Sequence, residues 1–256
     1  MSWQNILNGD PIPWLLESNP WTKYRTLVDL LDLPKDSSEV TAAYQELIKH
    51  PQIQTLINET TEWFPQCITR HNVPYLSHYK FLMLAECGIE KKEKQIQEII
   101  KKATSHIKEN SFSIMQILPQ KGEGFPKPDP DATEWHALPC DSPLITYTLL
   151  LLDYADERIQ KSIDKLKEHW KTKQGWFCNF FFVESQFKKF QIGCPMAGLM
   201  ALQVFSLVPG LKESEYAQNA YEPIKFHKDY GKSIYYFGRS KKFWTFKYPF
   251  VWYNAL

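Results

Sequence analysis

One unit recurs along this chain: a short polar or cysteine residue, a proline, an apolar helix, a turn, and a helix apolar on one stripe. Proline suits the first helical position because its missing N–H has no intrahelical partner there. The anchors are Pro20, Pro74, Pro143 and Pro195. After Asn19-Pro20, Tyr24, Leu27, Val28, Leu30 and Leu31 recur at helical spacing, and Pro34 stops the run. Ser37 or Ser38 caps a partner with Val40, Ala43, Tyr44 and Leu47 on one face, which His50-Pro51 breaks. Asn72-Val73-Pro74 opens a second copy through Tyr79, Leu82 and Leu84, ended by Gly88. A lysine-rich partner is predicted from about 90 to 110. Asp141-Ser142-Pro143 opens the third copy, with a partner over 157–170, and Cys194-Pro195 the fourth, with a partner over 213–226. A helix apolar on most sides belongs inside, and a striped one covers it. The pattern predicts an all-α, two-layer array of helical hairpins.

The 256 residues suffice for one domain, taken as 1–256, that folds without disulfides or metals. A net charge of +1 argues against a nucleic-acid partner. The first residues lack the basic and apolar regions of a secretory signal, and the longest apolar run, near 149–152, ends at Asp153. The expectation is a cytoplasmic protein with no transmembrane segment. There Cys67, Cys87, Cys140, Cys178 and Cys194 are thiols or metal ligands, not a disulfide framework.

Two stretches interrupt the array. Residues 116–141 hold Pro119, Gly122, Gly124, Pro126, Pro128, Pro130 and Pro139, and read as a long loop without secondary structure, a type that is usually functional or disordered. Residues 174–193 are aromatic. The aromatic C-terminal tail, 233–256, has a short strand signal at 234–237 and enough apolar surface to pack across the array.

Three strings carry a family resemblance: Pro-Cys-Asp-Ser-Pro-Leu-Ile at 139–145, Gln-Gly-Trp-Phe-Cys at 174–178, and Gly-Cys-Pro-Met-Ala-Gly-Leu-Met-Ala-Leu at 193–202. With the repeated hairpins they resemble the (α/α) toroid superfamily of squalene-hopene cyclases, protein prenyltransferase β subunits and lanthipeptide cyclases. The Phe-Trp-Thr-Phe-Lys-Tyr-Pro-Phe-Val-Trp-Tyr ending at Tyr253 resembles small prokaryotic members. The resemblance implies a toroid, complete or not, with a central aromatic cavity. It also implies cyclase (lyase) or transferase chemistry on an apolar, isoprenoid-like substrate. Departures are specific. The Asp-x-Asp-Asp acid motif of the cyclases is represented by Asp129-Pro130-Asp131, with Ala132 following. Cys140-Asp141 is adjacent and reversed relative to the Asp-x-Cys zinc pair of the prenyltransferases, and the lanthipeptide Cys-His-Gly motif is absent.

In a toroid the inner helices start at one rim, so Cys140 and Cys194, each just before an inner helix, would face one cavity. Cys178 leads toward the same place. Three thiolates with His136 or Asp141 match a tetrahedral zinc site, zinc being the one cofactor the residues suggest. The plainer reading is three buried thiols acting as small hydrophobes. The catalytic candidates are Asp141, His136 and Asp131, as carboxylates and an imidazole near one pocket. The substrate-binding candidates are Trp135, Trp176, Phe177 and Trp244, whose π faces would stabilise cationic carbon. Arg239, Lys241 and Lys242 would hold a diphosphate or form a solvated turn. Two functions remain: an enzyme on an isoprenoid-like molecule, and a non-catalytic toroid binding a peptide, lipid or partner protein.

Overall fold

The computed structural model describes residues 9–65, 76–119, 128–177 and 193–230. The first helices are α1 (Ile12–Leu16) and α2 (Pro20–Arg25), the latter running into a π-helical turn at Thr26–Leu30. The predicted run to 33 ends sooner, because Asp32 turns left-handed at φ 50°. Next come α3 (Ser38–Lys49), α4 (Pro51–Thr61), α5 (Ser77–Cys87) and α6 (Lys94–Ala103). Two antiparallel hairpins follow: β1 (Ile107–Lys108) with β2 (Ser111–Phe112), and β3 (Ile114–Pro119) with β4 (Pro128–His136). The chain closes its described part with α7 (Asp141–Leu151), α8 (Glu157–His169), α9 (Pro195–Leu207) and α10 (Glu215–Tyr230). Among the described residues no helix is long and apolar enough to cross a membrane.

The mostly helical class agrees with the sequence reading, and three of the four predicted pairs, α2–α3, α7–α8 and α9–α10, pack together, whereas α6 packs on α4 and not on its predicted partner α5. Pro20 and Pro195 stand at helix starts, and Ser37 Oγ accepts the Val40 N–H at 3.4 Å. Pro74 lies outside the described residues, as do Cys67, Cys178, Trp244, Arg239, Lys241, Lys242 and the strand signal at 234–237.

Three expectations need correction. His50-Pro51 ends α3 as foreseen, but Pro51 also starts α4, which the pattern missed. The lysine-rich helix stops at Ala103, not near 110. Thr104 Oγ1 bonds back to the Ile100 carbonyl at 2.9 Å, and Glu109 and Asn110 turn left-handed (φ 50° and 62°) to close β1–β2. The described residues of 116–141 are not a structureless loop. β3 pairs with β4 from Ile114↔His136 to Pro119↔Pro128, and the register shifts once, between Ile117 and Leu118. A two-stranded hairpin consists of edges only, so its prolines interrupt no central ladder.

The inner layer is the row α2–α5–α7–α9, each helix packed on the next. Contacts fix their common direction. His78 in the first turn of α5 meets Asp141 at the start of α7. Tyr24, late in α2, packs against Gly88 at the end of α5. Trp170, just past α8, touches Gly198 near the start of α9. All four inner helices therefore begin at one end of the molecule. The outer layer is α3 on α2, α4 on α5 with α6 against α4, α8 on α7, and α10 on α9. Inner α5, α7 and α9 are buried over most of their length, and α6 and α8 on one stripe. Burial of this continuous apolar layer, with Leu27, Phe81, Ile145 and Phe205 at its centre, supplies the main driving force.

Two glycines let the layers close. Gly88 caps α5 at φ 93°, and a Cβ there would lie 2.5 Å from a Tyr24 ring carbon. Gly175, at φ 62°, lies against the ring of Trp170, which is fully buried. At the segment leading into α6, Tyr24 Oη donates to Glu90 Oε1 at 3.3 Å and Tyr44 Oη to Glu93 Oε1 at 2.9 Å. Burial and the Glu90 charge push the Tyr24 phenol up to about 12.

Candidate functional site

The common end of the inner helices brings three polar side chains together inside the protein. Cys140 precedes α7 and Asp141 is its first residue, and both are buried. The Cys140 thiol donates to Asp141 Oδ2 at 3.1 Å. The other carboxylate oxygen, Oδ1, lies 2.8 Å from His78 Nε2, and His78 is fully buried. The separation is that of an ion pair. The first-turn amides of α7 add a positive dipole end beside the carboxylate.

Aromatic rings wall this group. Phe64 stacks on the His78 imidazole, with centroids 5.5 Å apart and planes 12° from parallel. Trp135 on β4 meets Phe64 edge-on at 5.8 Å, and Trp63 meets it edge-on at 5.3 Å. The backbone that presents Phe64 is strained. Trp63 and Phe64 both have left-handed φ, 42° and 56°, and Pro65 restricts Phe64 further. Each such residue costs about 1 kcal/mol or more, so surrounding contacts must hold it. They include the Phe64 N–H, which donates to Ser77 Oγ at 2.7 Å, and Trp63 edge-on to Phe81 at 6.0 Å.

The other candidates lie apart in character. His136 faces Glu134 on β4, with Nδ1 3.5 Å from Oε1. Burial and then the Lys108 charge lower its pKa, and Glu134 raises it less. Glu134 also accepts from Lys108 at 3.0 Å, which holds its carboxyl below the usual range. Asp131 is exposed on β4, and its backbone N–H bonds Asp129 Oδ1. Trp135 is half-buried and stacks on His106 at 3.5 Å. Trp176 and Phe177 are half-buried on the core, and Trp176 stacks on His169 at 3.9 Å. Cys194 is fully buried, and its N–H donates to the Trp176 carbonyl at 3.1 Å.

The structure thus brings Cys140, Asp141 and Trp135 into one neighbourhood through His78 and Phe64. It places Asp131 at the surface. Of the three zinc candidates, Cys178 lies outside the described residues, and among the described residues no three His, Cys, Asp or Glu converge to hold a metal ion. Sequence reasoning missed His78. The rule that picked Cys140 and Cys194, a side chain just before an inner helix, points to Val73 in the second copy as read from Pro74, and so does not reach His78, the second residue of α5. Phe64 carried no such signal, because an aromatic before proline is not read as a left-handed turn. Comparison with known proteins gives no significant match to any family model, any curated protein or any solved structure.

Proposed function

We propose that the hairpin row belongs to an (α/α) toroid, and that the protein is an enzyme of the terpenoid cyclase and prenyltransferase type. In this reading Asp141 is the proton donor toward an apolar, isoprenoid-like substrate. The observation that carries it is one buried carboxyl with a thiol on one oxygen and an imidazole on the other, walled by aromatic rings. The Asp141 O–H proton passes to one carbon of a double bond, whose π pair forms the new C–H bond. The positive charge falls on the neighbouring carbon, and ring faces of Phe64 and Trp135 stabilise it. The carboxylate left behind is met by the Cys140 S–H and the His78 imidazole. Loss of a C–H proton from the cation to water forms the product alkene, and a proton from water returns to the Asp141 carboxylate, so the cycle closes with no oxidant or reductant consumed. His136, Trp176 and Phe177 serve as flanking groups in this reading, and Asp131 has no role in it.

A second reading has one observation in its favour: Cys140, Asp141 and His78 are each no more than 5% exposed. A closed polar bridge of this kind suits a non-catalytic toroid that binds a peptide, lipid or partner protein.

Product analysis separates the two. Purified protein is incubated with linear isoprenoid alkenes, alcohols and diphosphates of graded length. The enzyme reading expects a rearranged hydrocarbon or alcohol from wild type and none from Asp141→Asn. Unchanged substrates throughout overturn it. Stoichiometric zinc in reduced protein, lost in Cys194→Ser, would replace proton donation by metal-assisted transfer.

A further inference from the structure

We propose that the left-handed Trp63–Phe64 turn is a positioning device for His78, with Phe64 and Ser77 as positioning residues; this rests on the reading of Asp141 as the acid. Three observations meet here. Two successive non-glycine residues hold left-handed φ in a buried place. The turn is tied to α5 by a hydrogen bond in which the Phe64 N–H donates to Ser77 Oγ at 2.7 Å. Ser77 is the residue immediately before His78. The ring that the turn presents then lies flat on the imidazole, 12° from parallel.

Imidazole can rotate about its two side-chain torsions, and only some settings keep Nε2 beside Asp141 Oδ1. Phe64 blocks one ring face, and Tyr79, with its centroid 4.2 Å away, crowds another side. Trp135 and Trp63 meet Phe64 edge-on and keep it from tipping. The strained backbone is what lets a ring from the end of α4 reach over the start of α5. An extended residue at 64 would aim the ring elsewhere. The device acts through His78 and touches no reacting atom.

The test is nitrogen NMR of protein labelled in its histidine rings, with His78 assigned by its absence in His78→Asn. Phe64→Gly accepts the left-handed φ, so it keeps the turn while deleting the ring. Ser77→Ala removes the tie. Expected is a His78 Nε2 signal that moves in both variants toward its position in Asp141→Asn, with Phe64→Gly lowered in melting temperature by the lost packing but still folded at the temperature of the spectra. A wild-type His78 signal in Phe64→Gly, or a signal that moves only with loss of folding, overturns the device. If Asp141→Asn itself leaves His78 unmoved, the pair and the acid reading fail first, which separates the two failures. Phe64→Leu, which refills the volume without a flat ring, is expected to restore packing but not the signal.

Discussion

His78 Nε2, in the first turn of α5, lies 2.8 Å from Oδ1 of Asp141, the first residue of α7. The pair joins two neighbouring inner helices at the end where both begin. It also fixes them as parallel, since only co-directional helices bring their first turns together. Removing one partner takes a buried polar interaction from the other. Asp141→Ala and His78→Ala are each expected to cost about 3 kcal/mol in urea denaturation, with the double variant costing well less than the sum. Additive losses would mean that the two groups do not interact.

The Trp170 pocket depends on missing side chains. Gly175 lies against the indole and Gly198 against the Ala220 backbone, with Trp170 nearby. Gly175→Ala adds a methyl where there is no space, at a φ of 62°. It is expected to destabilise by about 2 kcal/mol or more, with a lower denaturant midpoint and an altered Trp fluorescence spectrum. Gly210, also left-handed but in open space, provides the control, and Gly210→Ala is expected to cost only the backbone strain of about 1 kcal/mol.

Much of this architecture is legible in residue order because proline and apolar period act locally. Pro20, Pro143 and Pro195 mark inner starts, and the stripes of α6 and α8 mark outer helices. What failed to show is contact across the chain. α4 escaped because Pro51 both ends one helix and begins the next. The β3–β4 hairpin escaped because Pro119, Pro128 and Pro130 argue against strand, and on an edge they do no harm. Cys140 and Asp141 were visible as a pair at a helix start, but the imidazole that completes the group comes from the preceding hairpin.

His169 gives stability a pH dependence. Burial first, and the Lys165 charge second, lower its pKa from 6.5 to about 4 while it stacks on Trp176. In the unfolded chain the ring takes its proton near the ordinary value, so the unfolded state holds more protons between the two. The contribution is therefore complete above pH 6.5 and is lost as pH falls toward 4. Because the ring is partly solvated, the loss is expected to be about 1–2 kcal/mol, below what the full shift implies. Denaturation midpoints at a series of pH values would show it, and His169→Gln would flatten it. A wild-type slope in that variant would assign the dependence elsewhere.

Arg158 latches α8 to the turn after α6. Its guanidinium donates to Asp156 Oδ1 and Oδ2 at 2.8 and 2.7 Å and to the Thr104 carbonyl at 2.8 Å, while Asp156 Oδ1 also caps α8 through the Arg158 N–H. The arginine holds the Asp156 carboxyl well below its ordinary range. That stabilisation is complete above about pH 4 and fades as pH falls through the depressed value. Asp156→Asn keeps an acceptor for the cap but loses the charge, so about 1 kcal/mol is expected. Asp156→Ala loses both and is expected to cost more in the same thermal unfolding assay.

The most direct test of the acid assignment is deuterium incorporation. Under the acid reading, protein equilibrated in heavy water carries deuterium on the Asp141 carboxyl. Incubated with a linear isoprenoid alkene and followed by mass spectrometry, wild type is expected to give a product carrying carbon-bound deuterium from solvent, and Asp141→Asn is expected to give none. A product free of solvent deuterium, equal incorporation by Asp141→Asn, or no product from any isoprenoid tried would contradict the assignment.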